Sequence, residues 1–142
     1  MLVAFHLHRK PLSSGAKLTR GYTAAIRERA AGLYSGPLVT QPVYSRIIWF
    51  HKYRLPQGDV DNIIKKIHDA LIGIVFTDDR VVTHTMAVRV DATEGVEIEP
   101  DPASPESAAR LVDSINDPAL RDVLYIEVGV QKDQRIYLGP IA

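Results

Sequence analysis

One apolar segment, residues 43–53, constrains the fold more than any other. It is predicted to form a long strand whose two faces are both apolar, because Ile47 and Trp49 point one way and Ile48 and Phe50 the other. A strand of this kind belongs inside a sheet that is covered on both sides. The chain has 142 residues, of which 46% are hydrophobic. This is enough for one domain with a substantial core and too little for two.

Strands and helices alternate around this segment. Hydrophobic periodicity predicts strands at residues 2–8, 81–90 and 122–130, and helices at 19–34 and 62–74. A further short helix opens at Ser104-Pro105-Glu106, where serine caps the helix and proline takes its first position. The fold class is therefore α/β (α+β), a single domain over residues 1–142 with one mixed β-sheet packed by two or three helices.

Composition excludes several classes of protein. The chain contains no cysteine, which rules out disulfide scaffolds, cysteine-ligated zinc and thiol nucleophiles. No apolar run approaches the roughly 20 residues of a membrane span, and we expect no signal peptide because the first apolar run is short and soon followed by charged residues. We therefore expect a cytoplasmic protein that has no membrane contact.

Charge is unevenly distributed along a chain that is neutral as a whole. Residues 1–80 hold 12 basic and 6 acidic side chains, a net charge of +6, and the remainder carries −6. Four of those six acids are Asp59, Asp61, Asp78 and Asp79. A basic half with an acidic cluster suits a polyanionic ligand, whereas halves that interleave in the fold would leave no basic patch.

The four aspartates flank one helix. Asp59 and Asp61 precede it, and Asp78 and Asp79 follow it. A helix of about 12 residues separates its ends by roughly 18 Å, so the pairs converge only if the chain turns back after the helix. If they meet, their oxygens suit a hard cation such as Mg²⁺ or Mn²⁺. The alternatives are that Asp61 caps the helix and that Asp78-Asp79 is a plain turn.

Lys65 lies one helical turn after Asp61. A cation beside carboxylates can stabilise a phosphate or a leaving oxygen. The alternative is an ordinary salt bridge between Lys65 and either Asp61 or Asp69 on a solvated face.

The run Asp59-Val-Asp-Asn-Ile-Ile-Lys65, followed by Asp69-Ala-Leu and by Asp78-Asp-Arg-Val-Val, resembles the signature of the RusA-type Holliday-junction resolvases. The pattern is D-x-D-N-x-x-K, then D-A-L, then D-D-x-x-V. The order of predicted strands and helices around it also fits that family.

The resemblance implies a divalent-metal-dependent endodeoxyribonuclease of DNA recombination and repair. Such enzymes bind four-way junctions as homodimers and resolve them by paired symmetric nicks, so a nucleoid-associated protein is expected. The metal would be Mg²⁺ (or Mn²⁺). The catalytic residues carried over by position are Asp59, Asp61, Lys65 and Asp79, and the metal ligands are Asp59, Asp61 and Asp79, with Asp78 beside them.

The chain also departs from the family pattern. The acidic loop and short helix at residues 91–118 have the character of an insertion, and few arginines precede the aspartate motif. A non-catalytic DNA-binding structural protein with the same fold, or a nuclease acting on other DNA structures, therefore stays open. The candidate DNA contacts are basic residues of the first half: Arg9, Lys10, Lys17, Arg20, Arg27, Lys52, Arg54 and Lys66.

Overall fold

A computed structural model describes residues 1–15, 17, 20–54, 58–99, 105–132 and 136–140 of the chain. The strands are β1 (Val3–Leu7), β2 (Val43–His51), β3 (Val82–Asp91) and β4 (Asp122–Val130), and the helices are α1 (Arg20–Leu33), α2 (Ile64–Leu71) and α3 (Pro105–Asn116). Short 3₁₀ turns, Asp61–Ile63 and Asp79–Val81, precede α2 and β3. The predicted α+β class is confirmed.

The strands of the described chain form one mixed sheet in the order β1-β4-β2-β3. β4 runs antiparallel to both of its neighbours, whereas β2 and β3 are parallel. A parallel pair needs a long crossover, and α2 is part of the connection between β2 and β3. The predicted interior strand is confirmed for residues 43–51, which are paired along both edges, and it ends two residues earlier than expected.

Helices α1 and α2 cover one face of the sheet and enclose the main core. Ile26 of α1 and Ile67 of α2 are fully buried, as are Ile47 and Trp49 on the facing side of β2. Burial of this apolar surface, at about 25 cal/mol per Å², fixes α2 against the sheet.

Helix α3 and the segment after β3 cover the opposite face. Phe50 of β2 and Val123 of β4 pack here against Ala92, Leu111 and Ile115. A cleft of about 1190 Å³ extends from this smaller cluster, between α3 and the sheet. That residues 91–118 are an insertion stays a prediction.

The helix predicted at residues 62–74 ends earlier than expected, at Leu71. Ile72 is already extended, and Gly73 has a φ of +81°, a left-handed conformation that glycine adopts without strain. Ile74, the last residue of the predicted helix, therefore lies in the turn, and Val75 and Phe76 fill the core. No helix in the described residues is long and apolar enough to cross a membrane.

Candidate active site

The turn after α2 brings the second aspartate pair back to the helix. The Gly73 amide donates to the Phe76 carbonyl at 2.9 Å, and Val39 then exchanges backbone hydrogen bonds with Val75 and Thr77. After this reversal, Lys65 Nζ donates to Asp79 Oδ2 at 2.8 Å. The chain thus turns back after α2, as convergence of the two aspartate pairs would require, and it brings Asp79 to Lys65.

Lys65 links two carboxylates. Its ammonium also donates to Asp69 Oδ1 at 2.8 Å, so the ordinary i,i+4 salt bridge is present together with the contact to Asp79. The hydrogen bonds to Asp69 and Asp79 raise the pKa of Lys65 above its usual range. Lys65 is therefore protonated at neutral pH.

Asp59 and Asp61 lie on an exposed loop and turn just before α2. Asp61 is the first residue of its 3₁₀ turn, Val60 occupies the capping position, and no side chain caps the turn. The alternative in which Asp61 caps the helix is therefore wrong. Neither carboxylate forms a hydrogen bond or ion pair with another described residue, so both are accessible to a ligand.

Asp78 has a local role. Its Oδ1 accepts the Arg80 backbone amide at 2.9 Å and Arg80 Nε at 3.3 Å, which caps the 3₁₀ turn before β3. The Arg80 amide is the main cause of the lowered pKa of Asp78. The plain-turn alternative thus describes Asp78, while Asp79 points to Lys65. Metal binding by Asp78 stays a prediction.

The chemistry of the exposed donors fits a divalent cation. Within the described ranges, no three or more histidine, aspartate or glutamate side chains are grouped as a preformed metal cage. Mg²⁺ does not need one, since it commonly binds one or two carboxylates together with water and substrate phosphates. Asp79, with 25% of its side chain exposed, and the exposed Asp61, one turn before Lys65, offer such oxygens.

Two residues that the sequence did not indicate, Arg89 and Trp49, contact the loop that carries Asp59. Arg89 Nη1 donates to the Gly58 carbonyl at 2.9 Å. The Trp49 ring lies beneath Gly58, and Trp49 Nε1 donates to Asp122 Oδ1 at 2.9 Å. Tyr53 donates to the same oxygen at 2.7 Å. The sequence signal that could have pointed to this role was the position of Arg89 between the apolar residues Val88 and Val90 of β3.

A polar chain that starts at the buried His68 and Ser45 and reaches the exposed Thr85 lies near Lys65. His68 Nε2 and Ser45 Oγ are 2.8 Å apart, and Ser45 donates to Thr85 Oγ1 at 3.1 Å. Burial lowers the pKa of His68, although Asp79 and Asp69 act in the opposite direction. His68 is therefore neutral at pH 7 and joins α2 to the two parallel strands.

The predicted DNA contacts divide into two groups. Arg27 donates to the carbonyls of Ala70 and Ile72 at the end of α2, and Lys52 donates to those of Ser114 and Asp117 at the end of α3. These two cations stabilise helix ends. Lys66 is half-buried. The remaining predicted contacts are exposed: Arg9, Lys10, Lys17, Arg20 and Arg54.

The loop after β1 reaches the motif. The Ser14 amide donates to the Asn62 carbonyl at 2.8 Å, so the loop that carries Arg9 and Lys10 contacts the start of the motif helix. The backbone of the loop after β1 therefore lies against the start of the motif.

Comparison with protein families decides what kind of protein carries this site. The model of the family described as Endodeoxyribonuclease RusA matches residues 15–99, more than half of the chain. The chain belongs to the RusA endodeoxyribonuclease family. A search of curated proteins finds no match. The RusA match covers Lys65 and all four aspartates, whereas β1, α3 and β4 lie outside it. The predicted resemblance is thus confirmed, and it supports a nuclease that acts on branched DNA.

Proposed function

We propose that this RusA-family protein is a divalent-metal-dependent endonuclease that resolves four-way DNA junctions by paired symmetric nicks. The observation that carries the proposal is the 2.8 Å contact between Lys65 and Asp79. It joins two parts of the signature that are 14 residues apart, and it does so at an exposed surface.

Asp59, Asp61 and Asp79 would hold Mg²⁺ (or Mn²⁺). When bound, such an ion offsets the negative charge of the phosphate and makes water a stronger nucleophile. The accessible carboxylates of Asp59 and Asp61 support this assignment, as does the position of Asp79 beside Lys65.

Lys65 would stabilise the scissile phosphate. An ammonium group has three N–H donors, of which Asp69 and Asp79 accept two. The third donor is available for a phosphate oxygen, and the ammonium group carries a positive charge at neutral pH. Charge placed in advance where negative charge develops is typically among the largest contributions to catalysis.

The exposed cations around the motif would hold the DNA backbone. Arg9 and Lys10 lie on the loop that contacts Asn62, and Arg20 begins α1, which packs on α2. Such contacts position DNA without reading its sequence, and they weaken as salt rises.

A homodimer follows from the reaction. Resolving a junction requires two cuts, and one chain offers a single D-x-D-N-x-x-K motif. Two subunits related by a twofold axis would place one site on each of two strands. An enzyme that cleaves junctions in chromosomal DNA would associate with the nucleoid in the cytoplasm.

The test is cleavage of a synthetic four-way junction in Mg²⁺, beside a linear duplex of the same sequence at the same salt. We expect paired symmetric nicks on the junction alone, which Asp61→Asn abolishes while binding is kept or improved. Asp113→Asn, an exposed aspartate on α3, removes the same charge and should cut normally.

Two results would contradict the proposal. Tight junction binding with no cleavage in Mg²⁺ or Mn²⁺ would indicate a non-catalytic DNA-binding protein. Equal cutting of flaps or nicked duplexes would indicate a nuclease with a different substrate.

A further inference from the structure

We propose that Arg89 is a positioning residue that fixes the loop carrying Asp59; this inference rests on the proposed nuclease function. Arg89 Nη1 donates to the Gly58 carbonyl at 2.9 Å, across 31 residues of chain. Gly58 immediately precedes Asp59, so this hydrogen bond acts on the peptide unit that sets the position of the first motif carboxylate.

The strand register explains how Arg89 reaches the loop. Arg89 pairs with Trp49 across the parallel strands β2 and β3, and the two side chains therefore share a sheet face. This is the face covered by α1 and α2, where Trp49 is fully buried. Arg89, by contrast, is exposed near the end of the edge strand β3, from which it extends to the loop after β2.

Gly58 is held from a second side by Trp49. A Cβ built on Gly58 would meet the Trp49 ring at 3.7 Å, which is ordinary van der Waals contact. The φ of Gly58 is +118°, a conformation that L side chains rarely adopt. Asp122 fixes the ring in turn, through hydrogen bonds from Trp49 and Tyr53. Gly58 therefore packs against the Trp49 ring and accepts a hydrogen bond from Arg89.

The partner of Arg89 argues against a purely electrostatic role. Among the described residues, its guanidinium forms no ion pair and donates to a neutral backbone carbonyl. A hydrogen bond from a charged donor is stronger than one from a neutral donor, so this contact favours the loop conformation that it closes. A misplacement of about 1 Å at a reacting group can cost about 100-fold in rate.

We therefore expect Arg89→Ala to lower the single-turnover rate of junction cleavage by about 10- to 100-fold. The Mg²⁺ concentration for half-maximal rate should rise, because Asp59 is no longer held in place. The junction Kd measured in Ca²⁺ should change by less than about threefold, since no phosphate contact is lost. Arg89→Lys, which keeps a donor, should recover part of the rate.

Amide hydrogen exchange over residues 58–62 tests the same inference without any cleavage. Exchange should be faster in Arg89→Ala, close to normal in Arg89→Lys, and unchanged in Arg110→Ala, which removes an exposed arginine of α3. This measurement keeps the two proposals apart. A wild-type protein that cuts no DNA would overturn the proposed function, while exchange would still test the role of Arg89.

Two outcomes would overturn the inference. Unchanged exchange over residues 58–62 in a folded Arg89→Ala protein would show that Arg89 does not hold the loop. A rate loss matched by an equal loss of junction affinity, with a shallower salt dependence, would make Arg89 a phosphate contact.

Discussion

The two faces of the sheet use acidic residues in opposite ways. On the face covered by α1 and α2, Asp59 and Asp61 are exposed and bond to no described side chain, and Asp79, partly exposed, accepts a hydrogen bond from Lys65. On the α3 face, Glu127 is 7% exposed, and its two oxygens accept hydrogen bonds from Tyr44 and Tyr125, each at 2.6 Å.

The contrast indicates a structural role for the buried Glu127 and leaves the exposed Asp59 and Asp61 accessible to a ligand. The buried carboxylate of Glu127 also pairs with Arg46 at 3.5 Å, so its role is to hold its neighbours in place. Burial and the bond to Glu127 raise the pKa of Tyr125, so Tyr125 remains a donor across the working range of pH. Under the proposed function, the exposed carboxylates at the rim of the packed core would bind the cation.

The largest predicted difference is in cleavage. Asp79→Asn should lower junction cleavage by about 1,000-fold or more, because it removes a predicted metal ligand and the partner of Lys65. Glu127→Gln should cut at the wild-type rate and instead lose about 1–3 kcal/mol of unfolding free energy, since the amide NH₂ that replaces one carboxylate oxygen cannot accept from a tyrosine and the ion pair with Arg46 is lost. Cleavage assays and urea denaturation of both variants make the comparison.

The comparison breaks if Glu127→Gln loses activity while it stays folded under assay conditions. The α3 face would then contribute to the reaction.

The second difference is in packing. Ile67 is fully buried between α2 and the sheet, whereas Leu111 packs in a cluster that borders the cleft. We expect Ile67→Ala to lower the unfolding free energy by about 4 kcal/mol and Leu111→Ala by about 2 kcal/mol. Urea midpoints at constant slope measure both changes. Equal losses would mean that α3 is as much a part of the core as α2.

Much of this fold could be predicted because its strands have unambiguous patterns. β4 begins and ends where the sequence predicts, and the apolar residues on both faces of β2 required two covering layers. The end of α2 could not be predicted as well. Helical periodicity continues through Ile74, and only the backbone conformation at Gly73 shows that the helix stops at Leu71.

The site shows a similar limit. The motif spacing indicated Asp79 and Lys65, but it did not reveal which cations stabilise helix ends. Arg27 and Lys52 are indistinguishable from surface charges in the sequence, because their carbonyl partners lie 43 to 65 residues away. The role of Arg89 could not be predicted for the same reason, since its hydrogen bond to Gly58 spans 31 residues and depends on strand register.

The third difference concerns these cations. Arg27→Ala should destabilise the fold by about 1–2 kcal/mol, because Arg27 satisfies two carbonyls at the end of α2. Its effect on junction affinity should be small. Arg20→Ala should leave stability within about 0.5 kcal/mol and reduce the salt dependence of binding by about one charge. Thermal melts and binding titrations at several salt concentrations separate the two roles. A steeper loss of affinity in Arg27→Ala than in Arg20→Ala would return Arg27 to the DNA interface.

The smallest difference is in pH dependence, and it compares a histidine from each face. Burial lowers the pKa of both His68, beneath the site, and His6, beside Ser114 on the α3 face. A histidine with a lowered folded-state pKa binds fewer protons when folded than when unfolded, so unfolding free energy falls as pH drops below about 6.5. Asp78 and Asp91 also have lowered pKa values, but their contribution is lost only below about pH 4. The interval from about pH 6.5 to 5 therefore isolates the histidines.

His68→Gln should flatten the fall in stability over that interval more than His6→Gln does, because His68 is buried and His6 is only half-buried. Urea denaturation of the two variants and the wild type at both ends of the interval measures the slopes. The reverse order would mean that the positive neighbours of His6, which include Arg29 and Arg110, outweigh burial. The attraction of Asp79 and Asp69 would then stabilise protonated His68 enough to offset its position in the core.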